Sequence, residues 1–495
     1  MKLSWSLTRT SVLGAAVLAL FAATGCGYGG NTTIHTTGNY SNASLNGTYV
    51  YEVHGDSALG VYREVGAFTA DGNGNITAGG DDSSLAGNIT FTGTYQVFND
   101  GTGSLSFSNS ALGQINFAIT VVSSSKVYLM EGDTFADSGG VAELQTSSAA
   151  TMTPSGTFVF RLHEFASAES ASNSASEVGA VTISNGSVSG NRLDQNLGGT
   201  NAQFTLTGGA FAAPAGMGRG TATISGSSGF SRSLTYYVVN SGRLILLVTD
   251  AGTIGSGEAE AQSGAVGNGL SGNYAFGSRG DDPTPNGITS LGATVGNLTA
   301  SNGAISSYNF DAMQDGVYSN GTTTGTYTIS ADGRTAVTLS GGSPDVFWMV
   351  SPSRAFFLIS SGSDVEDGTA DLQTVNSFST STMKGQYAMV MDGIEFDQFN
   401  NVFDLSRIGA LNFDGSGNLA LAELANLGGN GAQPPQGGGL TGNYQIDSTG
   451  RMTGTVNNSS NLPLDVVMYA VSGSDAYVLQ VDTGAVTSGT VSLQH

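Results

Sequence analysis

From residue 44 to the C-terminus, apolar and polar positions alternate in short runs, and no segment there carries a helical period. The runs are rich in β-branched and aromatic residues and are separated by Gly, Asn, Asp and Ser, so they predict strands joined by tight turns. Their punctuation recurs four times with a period of about 110 residues. Each unit opens on a Gly-x-aromatic strand, at Gly47-Thr48-Tyr49, Gly156-Thr157-Phe158, Gly272-Asn273-Tyr274 and Gly385-Gln386-Tyr387. Each closes on a Gln that ends a short alternating strand: Gln145, Gln262, Gln373 and Gln494. A second Gly-x-Tyr strand recurs at Tyr95, Tyr327 and Tyr444, and the second unit blurs this mark.

The strongest local signal is a hairpin near the end of each unit, with arms such as LTYYVV and RLILLV around Asn240-Ser241-Gly242. Segments in the first unit begin near Gly47, Arg63, Asn75, Asn88, Gly103, Gln114, Lys126 and Gly140, which makes about eight strands. The fold class is therefore all-β: four tandem antiparallel domains of about eight strands, read as up-and-down barrels that close to remove their edges. β-Sandwiches are the alternative, without a cysteine pair to support them and with Trp348 as the one tryptophan after residue 25. A four-bladed propeller fits less well, since a blade needs about four strands. The units span 44–145, 153–262, 269–373 and 382–494. Small polar linkers at 146–152, 263–268 and 374–381 suggest four independently folded beads on a string.

The opening Gly-x-aromatic strand resembles the first strand of small calycin barrels such as lipocalins and avidins, with Tyr or Phe in place of their Trp. That resemblance implies a small apolar ligand or a saccharide in the barrel mouth and assigns no ligand residue.

The N-terminus departs from the alternating pattern. Lys2 and Arg9 precede an apolar run from Val12 to Ala23, too short to span a bilayer and laid out as a secretory signal over residues 1–25. Ala23-Thr24-Gly25-Cys26 resembles the lipobox of bacterial lipoproteins, which implies cleavage before Cys26 and its acylation by diacylglyceryl and palmitate. Residues 26–43 would then be a flexible tether. Gly27 stands where a retention signal places Asp, so the resemblance leans towards the outer membrane. Ala23 replaces the usual Leu, and an ordinary signal peptidase cut would leave a secreted or periplasmic chain. Cys26 is the only cysteine, so no disulfide framework is available.

Without the signal, 13 basic residues face 38 acidic ones, a formal charge of -25. That field repels nucleic acid and anionic head groups, leaving the N-terminal lipid as the membrane contact. Charged residues make up only 11% of the chain, while Gly, at 74 residues, is about twice its usual share.

Candidate chemistry is sparse. Asp71-Gly72-Asn73-Gly74-Asn75 begins like a calcium loop with Asp82 at the twelfth place, but Ile76 stands where the turn needs Gly and the fourth copy has Ala425 at that twelfth place. A β-turn is the better account, and no metal site is assigned. Asp133, Asp250 and Asp482 lie twelve residues before the closing Gln, with Ser361 in the third copy, and are read as turn caps. His54 and His163 share a register with Arg279 and Asp392, and this variation suggests an exposed strand end. Arg279-Gly280-Asp281 is taken as a chance triplet in a loop, and the Asn-x-Ser/Thr triplets as compositional. Adjacent Tyr236 and Tyr237, like Phe347 and Trp348, must place one ring outward, either for sugar stacking or under a neighbouring bead. No nucleophile elbow or phosphate loop occurs. The expectation is a non-enzymatic, lipid-anchored envelope protein with an interaction or structural role, without a cofactor and with a glycan or envelope partner. A ligand-binding lipoprotein is the alternative, and a secreted hydrolase the weakest reading.

Overall fold

Alternation becomes geometry when successive side chains point to opposite faces of a strand. In the first strand, Asn46–Ser57, Tyr49, Tyr51 and Val53 turn inward while Val50, Glu52 and His54 turn outward. The computed structural model describes residues 38–495 except 58–59, 110–112, 167–172, 284–288, 341, 343–344, 361–363, 398, 400, 433–439 and 458–462. The signal segment, Cys26 and the tether as far as residue 37 lie outside the described residues.

Barrel 1 consists of Asn46–Ser57, Gly60–Asp71, Asn75–Ser83, Gly87–Val97, Thr102–Asn109, Gly113–Ser123, Lys126–Glu131 and Ala136–Leu144, each paired with the next and the last with the first. Barrels 3 and 4 repeat this closed meander between Gly272 and Leu372 and between Gly385 and Leu493. Barrel 2 runs from Gly156 to Ala261 and breaks its third strand at Asn191, whose φ of 95° separates Ser187–Gly190 from Arg192–Leu197. It still closes, because Gly156–Ala166 pairs with both Ser174–Ser184 and Thr253–Ala261. The all-β fold and the eight-stranded barrel are thus those the alternation predicts.

Closure depends on a glycine five residues before each terminal Gln. A Cβ at Gly140, Gly257, Gly368 or Gly489 would lie 1.9, 2.0, 2.2 or 1.9 Å from a backbone oxygen of the barrel's own first strand. Only glycine lets the first and last strands approach so closely.

The interiors are filled. Tyr49, Tyr51, Phe68, Phe91, Phe107 and Phe117 crowd barrel 1, and the space among the core side chains of barrel 2 is about 10 Å³. That is at most room for one water. The opening tyrosines cross the floor to backbone carbonyls of the final hairpin turn: Tyr49 to Ser124 at 2.6 Å, Tyr274 to Pro352 at 2.7 Å and Tyr387 to Gly473 at 2.5 Å. The second tyrosines, Tyr95, Tyr327 and Tyr444, donate to Leu45, Leu270 and Met383 in the entry segments. Phe211 fills this place in barrel 2 without a hydroxyl, which is why the mark fades there.

The beads-on-a-string expectation is corrected. The outer face of each barrel's first two strands packs on the final hairpin of the next barrel. Val50, Val65 and Ala67 meet Tyr237, Val239, Ile245 and Leu247. Val159, Val178 and Ala180 meet Trp348, Val350, Phe356 and Leu358, and Ala275 and Val295 meet Val467, Tyr469 and Leu479. Ala388 and Ile408 of barrel 4 meet Ala118, Val122, Tyr128 and Met130 of barrel 1, so the succession is cyclic. Outward aromatics such as Tyr237 and Trp348 need apolar cover, and the neighbouring barrel supplies it. The tether is also shorter than expected, since Tyr40 donates to the Val122 carbonyl at 3.2 Å and Asn42 accepts from the Val97 amide at 2.8 Å.

The closing glutamines act across these interfaces. Gln145 donates to Met217 and Val238 carbonyls of barrel 2, Gln262 to Asp332 and Met349 of barrel 3, and Gln373 to Thr449 and Ala470 of barrel 4. Gln494 reaches Asp100 and Val121 of barrel 1. The residue after each Gln adds a backbone bond, from Thr146 to Val239, Ser263 to Val350, Thr374 to Val471 and His495 to Val122.

Candidate functional site: a charged cavity between the barrels

Beyond the apolar contacts, the outer faces of the first and last strands of all four barrels border one cavity of about 1250 Å³. The register shared by His54, His163, Arg279 and Asp392 places all four against it. This corrects the exposed strand end expected for that position. Among the described residues twelve carboxylates, six Lys or Arg and two histidines line the space. A chain that is sparing with charge concentrates it here.

Most of these charges are paired across barrels. Arg243 of barrel 2 binds Glu143 of barrel 1 at 2.5 Å and Glu260 of its own barrel at 2.7 Å, and also Glu258. Arg354 of barrel 3 joins Glu260 of barrel 2 at 3.0 Å to Asp371 at 2.8 Å. Arg161 bridges Glu258 at 2.7 Å and Asp367 of barrel 3 at 2.8 Å. Burial disfavours the charged form of Glu258, yet Arg243 and Arg161 outweigh it and hold this carboxyl well below the usual range.

The two histidines have different partners. His163 lies between Asp281, at 3.1 Å, and Asp367, at 2.9 Å, both on barrel 3. Burial pulls its pKa down, but hydrogen bonds to both carboxylates prevail and push it up to about 9. His54 sits 3.2 Å from Asp392, which Arg279 also binds. Burial would raise the Asp392 pKa, and the charges of Arg279 and His54 instead hold it far down. Three barrels thus meet at a single carboxylate.

One corner has no direct ion pair among the described residues. Asp56 and Asp137 are register partners on the first and last strands of barrel 1, and Asp404 of barrel 4 lies beside them. Burial pushes Asp137 up to about 6, and burial with the charges of Asp56 and Asp137 pushes Asp404 up to about 7. Among the described residues none of the three has an ion pair within 4.0 Å.

The other singled-out residues have structural duties. Asp71 accepts the Asn73 and Asn75 amides at 2.7 and 3.0 Å, and Asp414 accepts those of Ser416 and Asn418 at 2.6 and 3.0 Å, as in turns. Asp133 caps its own turn through the Phe135 amide and also accepts that of Asn116, whereas Asp250 and Asp482 accept the amides of Ser233 and Asp465 at the start of the preceding hairpin, so they tie strand ends together where a turn cap is expected. Ser361 and Cys26 lie outside the described residues. Arg279-Gly280-Asp281 is not in a loop but within the strand Gly272–Pro283, with Arg279 and Asp281 both engaged in the cavity. Tyr236 and Phe347 point into their barrels, while Tyr237 and Trp348 are covered by the preceding barrel.

Sequence reasoning missed a repeated polar lock. Asp82, Asp194 and Asp311 stand opposite Val65, Val178 and Val295, and each accepts a two-pronged bond from the next barrel's Arg219, Arg334 or Arg451. Tyr237, Trp348 and Tyr469 complete the locks at 2.9, 2.9 and 2.7 Å. The available signal was an Arg following the turn glycines Gly218, Gly333 and Gly450. The barrel 4 to barrel 1 interface has Leu424, Thr102 and Thr120 at the three corresponding register positions.

No known protein family and no curated protein matches the sequence. Solved structures with some likeness include the isotype 1 transferrin binding protein B from serogroup B Neisseria meningitidis, 9% identical over 75% of this chain and 84% of that one, with a TM-score of 0.22. A double mutant of transferrin binding protein B from Haemophilus parasuis Hp5 is 14% identical over 75% and 82% of the two chains, with a TM-score of 0.19. Intact Ap-TbpB, with N and C lobes, is 12% identical over 90% and 95%, with a TM-score of 0.21. Likeness at this level identifies neither a partner nor a role for this chain.

Proposed function

We propose that this chain is a cell-envelope lipoprotein, cleaved before Cys26 and acylated there, whose four barrels form one non-catalytic binding body with its ligand site in the central cavity. The supporting observation is the contrast between interiors. The barrel interiors are filled with aromatic and aliphatic side chains and, towards one end, with buried polar clusters such as Glu164, Glu177 and Arg232, whereas the space between the barrels has room and is lined by charged groups from all four. A concave site with convergent polar groups is where a hydrophilic ligand gains most. The barrel-mouth ligand implied by the calycin resemblance has no comparable room in barrel 2. Sugar stacking on Tyr237 or Trp348 is likewise disfavoured by their burial at 1% and 0% exposure.

The anchor and the site are tested together. The whole chain is expressed with labelled palmitate, fractionated, and screened on a glycan array and by pull-down beside Cys26→Ala, Arg243→Gln and Asp137→Asn variants. The expected result is labelled, membrane-bound wild type, unlabelled and released Cys26→Ala, and a bound ligand lost in Arg243→Gln or in Asp137→Asn but kept in Cys26→Ala. A Cys26→Ala chain that stays in the membrane overturns the anchor, and binding indifferent to both cavity substitutions overturns the cavity as the site.

A further inference from the structure

Carboxylates elsewhere in the cavity are largely matched by arginine or histidine, which makes the exception at the barrel 1 to barrel 4 corner informative. Asp137 is only 2% exposed, yet neither of its carboxylate oxygens has a hydrogen-bond partner. The Ser406 hydroxyl and the Gly428 and Gly429 amides lie close enough to temper its pKa without meeting hydrogen-bond geometry. Opposite it, Asp56 also keeps one buried oxygen unpartnered. The charges of Arg63 and Arg279 reach Asp56, but neither pairs with it: Arg63 donates to the backbone carbonyls of Gly55 at 3.0 Å and Tyr62 at 2.8 Å, and Arg279 binds Asp392. A buried carboxyl without a donor is costly, and such a group is retained where something else supplies the donor.

We propose that the Asp56, Asp137 and Asp404 corner binds the ammonium or guanidinium group of an organic cation. This deepens the proposed function and rests on the cavity being the ligand site. A multi-donor cation suits the corner because it brings several N–H groups to carboxylates whose acceptor sites are open. The described residues contain no cluster of His, Cys, Asp or Glu arranged to hold a metal ion, which favours an organic cation over a divalent metal. Two residues before Asp404 on the same outward face, Val402 lines the cavity and is 37% exposed. An alkyl stem or the hydrophobic flank of a basic peptide has somewhere to lie.

The test is calorimetric titration of the whole chain, in nonionic detergent, with spermidine, with a Lys-Phe-Leu peptide, with calcium chloride and with an acidic oligosaccharide. Saturable binding of spermidine or the peptide is expected, weakened about tenfold or more by Asp137→Asn and by Asp404→Asn, as for loss of a charge-assisted hydrogen bond. Asp414→Asn, in an exposed turn, should leave it unchanged. Val402→Ser separates the two sources of the cation: it weakens the peptide alone if this apolar side chain belongs to the site. If one Asp variant does not fold, the other carries the test. Tight calcium binding lost in Asp137→Asn would overturn the organic cation in favour of a metal. An acidic oligosaccharide whose binding falls with Arg243→Gln and not with Asp137→Asn would keep the cavity and overturn this corner. Silence from all four probes would overturn both.

Discussion

Residues placed at interfaces carry charge states that only their neighbours explain. His163 titrates near 6.5 in an unfolded chain, and its pKa is pushed up to about 9 between Asp281 and Asp367. A raised folded pKa means its stabilising contribution is fully present below about 6.5 and is lost as pH rises through about 9. The barrel 2 to barrel 3 contact should therefore weaken between pH 7 and pH 10. Thermal melts at the two pH values are expected to differ more for wild type than for His163→Gln. Gln262 offers a second residue-scale test, because its amide serves the Asp332 and Met349 carbonyls of the next barrel at 2.8 and 2.9 Å. Gln262→Ala should cost about 1–3 kcal/mol in denaturant melts, as expected for two polar groups left without a donor. The conspicuous closing Gln was legible in the sequence; its partner was not, because that partner lies about 70 to 90 residues further along the chain in the next barrel.

At the scale of the strand, the alternating pattern was enough to predict eight-stranded antiparallel units, because every inward position in the opening strands is large and apolar or aromatic up to the polar barrel end. Closure itself rests on the glycines five residues before each closing Gln. In Gly257→Ala the new Cβ would lie 2.0 Å from the Arg161 carbonyl oxygen and 2.9 Å from its carbon, so the first and last strands of barrel 2 would have to part. A loss of about 2 kcal/mol or more is expected, against within about 0.5 kcal/mol for Gly216→Ala, where nothing lies within 4 Å. Equal denaturation midpoints for the two variants would contradict this account of closure. The outward half of the alternation was harder to read. Polar outward positions look the same whether they face bulk water or a shared cavity, which is why the register of His54, His163, Arg279 and Asp392 reads from sequence as an exposed strand end.

The cyclic succession of barrels has one interface unlike the rest. Three interfaces carry an Arg, Asp and aromatic lock, while the one that joins the last barrel to the first substitutes Thr102, Thr120 and Leu424. Both described ends of the chain also meet there, since Tyr40 donates to the Val122 and His495 carbonyls. Without the two-pronged charged bonds, this seam should open before the others. Hydrogen exchange is expected to be faster at residues 113–131 and 385–413 than at the hairpins 231–248, 345–359 and 463–480. Uniform protection would mean that the four interfaces are equivalent in strength.

Pattern alone determined the repeat, the strand and the barrel, because those depend on alternation and turn chemistry within a few tens of residues. Tertiary structure alone decided that the barrels pack in a closed succession, that their interiors are full, and that the scarce charges converge between them. Those outcomes depend on how outward faces meet across about 100 residues of intervening chain, and apolar cover or an ion pair at that distance leaves no local periodicity to detect.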